Sequence, residues 1–251
     1  MNHSFHIIRN ETRDHVARTA VDLYAADCLK AVREERDFAV ALSGGRSPLG
    51  FFKLLAADDR VTPAHWQKTH LFWVDERCVP DSDPASNFGA ARRFLLDRVP
   101  LFEDHVHPMP GLLPPEDGAR LYEGELVRHF GVVSGNPPRF DLVVLGVGAD
   151  GHTASLFPGS KLIGEKKRLV MPVKGGNPDL WRLTLTFKVL NAAAHIMILA
   201  TGKEKAPVVA ALTGRSDWKP PVVNIVPVGG RLTLLVDKES AGDGDCGKRQ
   251  K

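Results

Sequence analysis

The chain has 251 residues, 43% hydrophobic and 25% charged, with a formal net charge of +3. These are the proportions of a globular protein in water, and the length allows one large α/β domain or two small ones. Lys248, Arg249 and Lys251 supply as many positive charges as the net excess, so the body is near neutral and neither nucleic acid nor an acidic membrane is an expected partner.

Cys28, Cys78 and Cys246 are far apart, odd in number and form no CxxC pair. Reduced thiols in a cytosol-like compartment are expected. The N-terminus lacks the apolar run of a signal peptide, and no stretch approaches the ~20 apolar residues of a membrane span. A cytoplasmic protein is therefore expected.

In chain order, a strand is predicted over 5–8 and a long helix over 12–35. Ala17, Val21, Tyr24, Cys28 and Val32 recur every three or four residues and share one helix face. The apolar run 38–42 reads as a buried strand, 49–57 as a helix, and 70–74 as a strand. A helix is predicted over 87–98, capped by Ser86 or Asn87. Another is predicted over 116–130. Strands follow at 140–145, 169–173, 182–186, 195–199 and 231–236, with a helix over 205–212. Strands alternating with helices predict a doubly wound α/β fold, a mostly parallel sheet with helices on both faces in a Rossmann-like three-layer sandwich. No domain linker is visible, so 1–240 reads as a single domain. Residues 241–251, polar and Gly-rich, read as a disordered tail.

Four clusters carry candidate chemistry. Ser43-Gly44-Gly45-Arg46-Ser47-Pro48 joins a strand to a helix, with Ser47 and Pro48 reading as N-cap and N1. Glycine backbone N–H groups, a helix N-terminus and Arg46 together make an anion cradle, or else a plain capped turn. It is neither a P-loop nor a dinucleotide fingerprint. Asp75-Glu76-Arg77 follows a strand, and alternation sends Asp75 and Arg77 to the same side. Cys78 beside them has no evident His partner and reads as structural.

The third cluster runs from Gly146 to Gly159 and places Asp150 and His152 in a glycine turn at the end of a strand. Such turns are where an open α/β sheet keeps its chemistry. His152 is a candidate general base, with Asp150 fixing its tautomer. Ser155 lacks the nucleophile elbow. The fourth cluster is Arg182, in a β-branched run, and Lys205 at a predicted helix start; either completes a phosphate site or is a solvated cation. His105-Val106-His107 is an H-x-H pair with no further ligand set in view, and no metal is assigned.

Together, Ser43 to Pro48, Trp73 to Arg77, Ser86-Asn87 and Gly146-x-Gly-x-Asp-Gly-His152-Thr-Ala-Ser-Leu-Phe-Pro-Gly159 resemble the 6-phosphogluconolactonases in order and spacing, over about 5–237. The resemblance implies hydrolysis of the δ-lactone of 6-phosphogluconate in the oxidative pentose phosphate pathway. It also implies a doubly wound α/β fold, no metal or other cofactor, a cytosolic location and a monomer or homodimer. It assigns proton transfer to His152, orientation to Asp150, and the reacting cleft to Arg77 with Asp75. Phosphate and substrate contacts fall to Ser43, Gly44, Gly45, Arg46, Ser47, Asn87, Arg182 and Lys205.

The related glucosamine-6-phosphate deaminases carry Asp-Glu-Tyr where this chain has Asp75-Glu76-Arg77. Where Phe157 stands they have a glutamate that relays protons, which a phenyl ring does not do. A deaminase-like sugar-phosphate isomerase and a non-catalytic sugar-phosphate sensor remain the alternatives. A sensor is expected to add a DNA-binding helix pair, for which this sequence leaves little room.

Overall fold

A computed structural model describes residues 4–133 and 136–242. Seven strands form one sheet in the order β1-β10-β9-β6-β2-β3-β5. They are β1 (Ser4–Asn10), β2 (Phe38–Leu42), β3 (Thr69–Trp73), β5 (Val106–His107), β6 (Leu142–Gly146), β9 (His195–Ala200) and β10 (Arg231–Asp237). Every pairing in this sheet is parallel. All residues of β2 and β9 are buried, as strands covered by helices on both faces must be. The fold is doubly wound α/β, as expected.

The strands predicted at 169–173 and 182–186 do not join that sheet. As β7 (Val170–Gly175) and β8 (Leu180–Leu185) they pair antiparallel with β4 (Asp75–Arg77) in a second, three-stranded sheet. Polar residues alternate with apolar ones in β8, which suits a small sheet over a cleft better than the centre of a parallel sheet.

The helix α1 (Arg13–Arg33) is capped by Thr12 and buries Ala17, Val21, Tyr24 and Cys28, with Val32 half-buried at its end. The helix α2 spans Arg46–Leu55, with Gly45 at its N-cap in the left-handed region at φ 92°. This corrects the expected Ser47–Pro48 cap. Glycine's freedom at Gly45 lets the helix start earlier, and Pro48 is tolerated in a first turn whose N–H groups have no partner within the helix. A short α3 (Pro63–Trp66) leads into β3. The helix α4 (Asn87–Phe94) is capped by Ser86, whose Oγ accepts from Gly89 N at 2.9 Å, and gives way to a 3₁₀ turn over Leu96–Arg98.

The later helices are α5 (Pro115–Phe130), α6 (Phe187–Leu190), α7 (Ala206–Leu212) and α8 (Lys238–Ala241). Lys205 closes a 3₁₀ turn before α7 and does not begin the helix itself. Ala241, expected in the tail, is the buried last residue of α8. The rest of that predicted tail, from 243 onward and including Cys246, lies outside the described residues. No helix among the described residues is long and apolar enough to cross a membrane.

Candidate active site

The strand order reverses between β2 and β6, because the chain runs from β2 outward to β3 in one direction and from β6 to β9 in the other. A crevice opens beyond the carboxyl ends of strands at such a point. A cavity of about 290 Å³ lies there. Loops after β2, β3, β6 and β9 all reach it, and Arg182 enters from β8 of the second sheet.

The His152 turn is held by its own backbone. Gly148 N donates to His152 O at 2.8 Å, and Gly151 N to Gly148 O at 3.0 Å. His152 Nδ1 lies 2.6 Å from Asp150 Oδ1, and the imidazole side chain is 34% exposed. With the carboxylate accepting, Nδ1 carries the proton and Nε2 keeps its lone pair. A Cβ on Gly148 would meet His152 Nδ1 at 2.2 Å and Asp150 Oδ1 at 2.3 Å. Only glycine leaves room for the pair. The Phe157 ring packs 5.1 Å from the imidazole.

Two guanidiniums meet at the other wall. Arg77 and Arg182 are directly paired across β4 and β8, so their side chains share a face. Arg182 is 4% exposed, donates to Gly175 O at 2.8 Å, and lies over the Phe157 ring. Burial first, and the nearby Arg77 charge second, lower its pKa. Arg77 donates to Ala85 O through Nη1.

The acidic residues beneath divide their work. Asp75 is buried, accepting from Ser155 Oγ at 2.6 Å and Asn87 Nδ2 at 3.1 Å. Ser155 is thus a buried support, in line with its lack of an elbow. Glu76 accepts from the backbone N–H groups of Arg77, Asn87 and Phe88 and from Ser86 Oγ, tying β4 to the start of α4. Burial pushes its pKa up to about 7. Cys78 is half-buried and its thiol is pushed up to about 11 by burial, which leaves it protonated and unreactive near pH 7.

Ser43, Gly44, Gly45, Asp75, Arg77, Asn87, His152, Arg182 and Lys205 all line the cavity. Asp150 stands just outside, behind His152, in a neighbouring depression. The side chains of Arg46 and Ser47 lie outside the described structure. Gly44 packs so closely on Asn87 that a Cβ would fall 1.8 Å from Asn87 Oδ1. The sequence reading missed Arg13 and gave no role to Thr201 and Glu204, which lie in the Thr201–Lys205 stretch of the fourth cluster; all three also line the cavity. Their signal was positional: each follows closely on the carboxyl end of a parallel strand.

Charge in the cavity is unbalanced. Arg13, Arg77, Arg182 and Lys205 face two carboxylates, Asp75 and Glu204. Arg77 Nε, Asn87 Oδ1 and Thr201 Oγ1 are buried without a hydrogen-bond partner among the described residues, and all three residues line this cavity. Buried polar atoms are ordinarily paired. A ligand with anionic oxygens to accept from Arg77 Nε and hydroxyls to donate to Asn87 Oδ1 would supply what is missing.

The sequence profile described as glucosamine-6-phosphate isomerases/6-phosphogluconolactonase matches residues 11–234. The chain belongs to this family. A 6-phosphogluconolactonase from Synechocystis sp. is 37% identical over 214 residues, covering 84% of this chain and 86% of that protein. The GDH/6PGL endoplasmic bifunctional protein of Oryctolagus cuniculus is 37% identical over 233 residues; these are 90% of this chain but only 28% of the length of that relative. The solved 6-phosphogluconolactonase from Trypanosoma cruzi superposes with a TM-score of 0.86 at 30% identity, covering 97% of this chain and 98% of the other. Within the family fold, the reversal point between β2 and β6 is where this chain concentrates its charged and titratable side chains.

Proposed function

We propose that the chain hydrolyses 6-phospho-D-glucono-1,5-lactone to 6-phosphogluconate in the oxidative pentose phosphate pathway. The observation that carries this reading is the cavity's composition. Among the described residues, one oriented imidazole stands beside four cations and three buried polar atoms without a hydrogen-bond partner. A phosphate monoester brings close to two negative charges at pH 7, which matches the excess of four cations over two carboxylates.

A δ-lactone has an activated carbonyl, so water suffices as nucleophile when a base is in place. His152 Nε2 takes a proton from the attacking water while Asp150 stabilises the imidazolium. Arg77 stabilises the oxyanion of the tetrahedral intermediate. The imidazolium then returns its proton to the departing ring oxygen, leaving a hydroxyl and a carboxylic acid that loses its remaining proton to solvent to become the carboxylate. Arg182, Lys205 and the Gly44–Gly45 turn hold the phosphate away from the reacting carbon, and the binding energy there orients the carbonyl.

Deamination is the second reading, and Phe157 argues against it. Its ring lies against His152 where a relay would need a carboxylate. The proposal extends to a cytoplasmic enzyme without a cofactor, monomeric or homodimeric. It treats residues 1–240 as one catalytic domain; a buried cluster running from Val16 to Ala241 supports that. The test is to generate the lactone in situ and follow its loss with and without the protein. Acceleration over the spontaneous rate is expected. Loss at the spontaneous rate, or ammonia release from glucosamine 6-phosphate, removes the reading.

A further inference from the structure

The end of the sheet remote from the cavity gathers histidines. His70 lies near the start of β3, His107 on the edge strand β5, and His129 in the last turn of α5. We propose that His70, His107 and His129 form a binding site for one divalent transition-metal ion of the zinc type, clamping β5 and the end of α5 to β3.

Each of the three offers a ring nitrogen, and these nitrogens lie within 4.8 Å of one another. His70 Nδ1 and His107 Nε2 are 3.1 Å apart. Two nitrogens on a tetrahedral zinc, each bonded at 2.0–2.1 Å, sit about 3.3 Å apart. The pair therefore stands close to ligand spacing already, and His129, within 4.8 Å of both, has at most about 1.5 Å to close.

Carboxylates back the rings as they do around bound metals. His107 Nδ1 donates to Glu125 Oε1 at 2.9 Å, which leaves its Nε2 lone pair facing His70. His70 Nε2 lies 3.9 Å from Asp37 Oδ2. When an ion takes Nδ1, the His70 proton moves to Nε2, on the Asp37 side. Such partners fix the tautomer and raise ligand basicity. Arg128 pairs with Glu125 and Lys68 with Asp37, so the outer charges are already balanced.

A fourth histidine adds an independent observation. His105 stacks on His70 with ring centroids 3.8 Å apart, and its Nδ1 is buried without a hydrogen-bond partner among the described residues. A water on the ion's fourth position would give that nitrogen a donor. The physical return is local: β5 is only two residues long and pairs with β3 at two positions, a weak edge that an ion spanning three elements would fasten.

The test uses the full-length, tag-free protein stripped of metal with a chelator. Zinc should bind with a stoichiometry of one by calorimetry and raise the unfolding temperature. Cobalt should give the visible d–d bands of a tetrahedral, nitrogen-rich site. His129→Gln and His70→Asn should each weaken zinc at least tenfold, and Glu125→Gln, which touches no ion, by roughly 10- to 100-fold. His129→Gln should leave lactone hydrolysis unchanged. Where a variant unfolds, imidazole resonances of the wild-type chain decide, since zinc must move those of all three rings. Absence of zinc binding overturns the proposal, as does binding that survives both histidine substitutions or leaves the three resonances unmoved.

Discussion

Arg77 and Arg182 stand directly opposite each other across the β4–β8 pair, and both line the cavity. Like charges in that position repel, and the lowered pKa of Arg182 reflects it after burial. An anion lying between the two guanidiniums would relieve that repulsion.

Arg182→Ala should raise KM for the lactone by roughly 10- to 100-fold, the equivalent of one charge-assisted hydrogen bond of about 1.5–3 kcal/mol. Lys205→Ala should act in the same direction. Thermal unfolding supplies a second readout: 6-phosphogluconate should stabilise the wild-type chain and have much less effect on Arg182→Ala. A fall in kcat with KM unchanged would assign Arg182 to the chemistry and not to the phosphate.

His152→Ala should lower kcat by ~10²–10⁴-fold, the usual contribution of a general base. Asp150→Asn should cost less, because it leaves the imidazole in place while removing its charge partner. The side chains of both residues are substantially exposed, so the unfolding temperature should hardly move. Near-wild-type turnover in His152→Ala would return the base's role to a water or another group.

Gly148→Ala tests geometry while leaving the chemical identity of every reactive group unchanged. The added methyl would occupy space within 2.3 Å of both Asp150 Oδ1 and His152 Nδ1. Their hydrogen bond must open, and a displacement near 1 Å at a catalytic group costs on the order of 10²-fold. Steady-state kinetics beside circular dichroism would separate this from unfolding. Full activity would mean that the pair's present geometry is not the working one.

Stability should fall on the acid side because of the histidine cluster. Burial, and then the charges of His105, His129 and His107, push His70 down from 6.5 to about 4, with Asp37 opposing. His107 and His129 are lowered mainly by burial, against Glu125. Between the two pKa values the unfolded chain binds protons that the native chain does not. The contribution is therefore fully present above about pH 6.5 and is lost as pH falls toward 4. Glu76 has the opposite sign. Raised from 4.5 to about 7, it is protonated when native and ionised when unfolded, so its contribution is lost as pH rises through that window. Urea unfolding at mildly acidic and neutral pH should show a smaller acid loss in His70→Asn and a larger one in Glu76→Gln. An unchanged acid loss in His70→Asn would place the titration elsewhere.

Much of the site was legible because its signals are local. Ser43 to Gly45, Asp75 with Arg77, and Asp150 with His152 each sit within a few residues after a strand, where backbone freedom and chain direction alone bring them to one edge of a parallel sheet. The meeting of Ser43 to Gly45, Asp75, Arg77 and His152 in one cavity, with Asp150 just behind His152, then follows from the strand pattern. The helix start at Gly45 was missed because a Ser-Pro pair imitates a cap, whereas glycine's positive φ set the true one.

The sequence by itself determined the alternation of buried strands and amphipathic helices, the glycine turns, and the residue types to which proton transfer and phosphate binding are assigned in the proposed function, all properties carried over a few neighbouring residues. Only the tertiary structure decided that β7 and β8 form a separate antiparallel sheet with β4, setting Arg182 against Arg77. It alone supplied Arg13, Thr201 and Glu204 to the cavity and brought His70 and His129 to His107. Such pairings depend on register between segments far apart in the chain, and register is fixed by how whole faces bury against each other rather than by any local pattern.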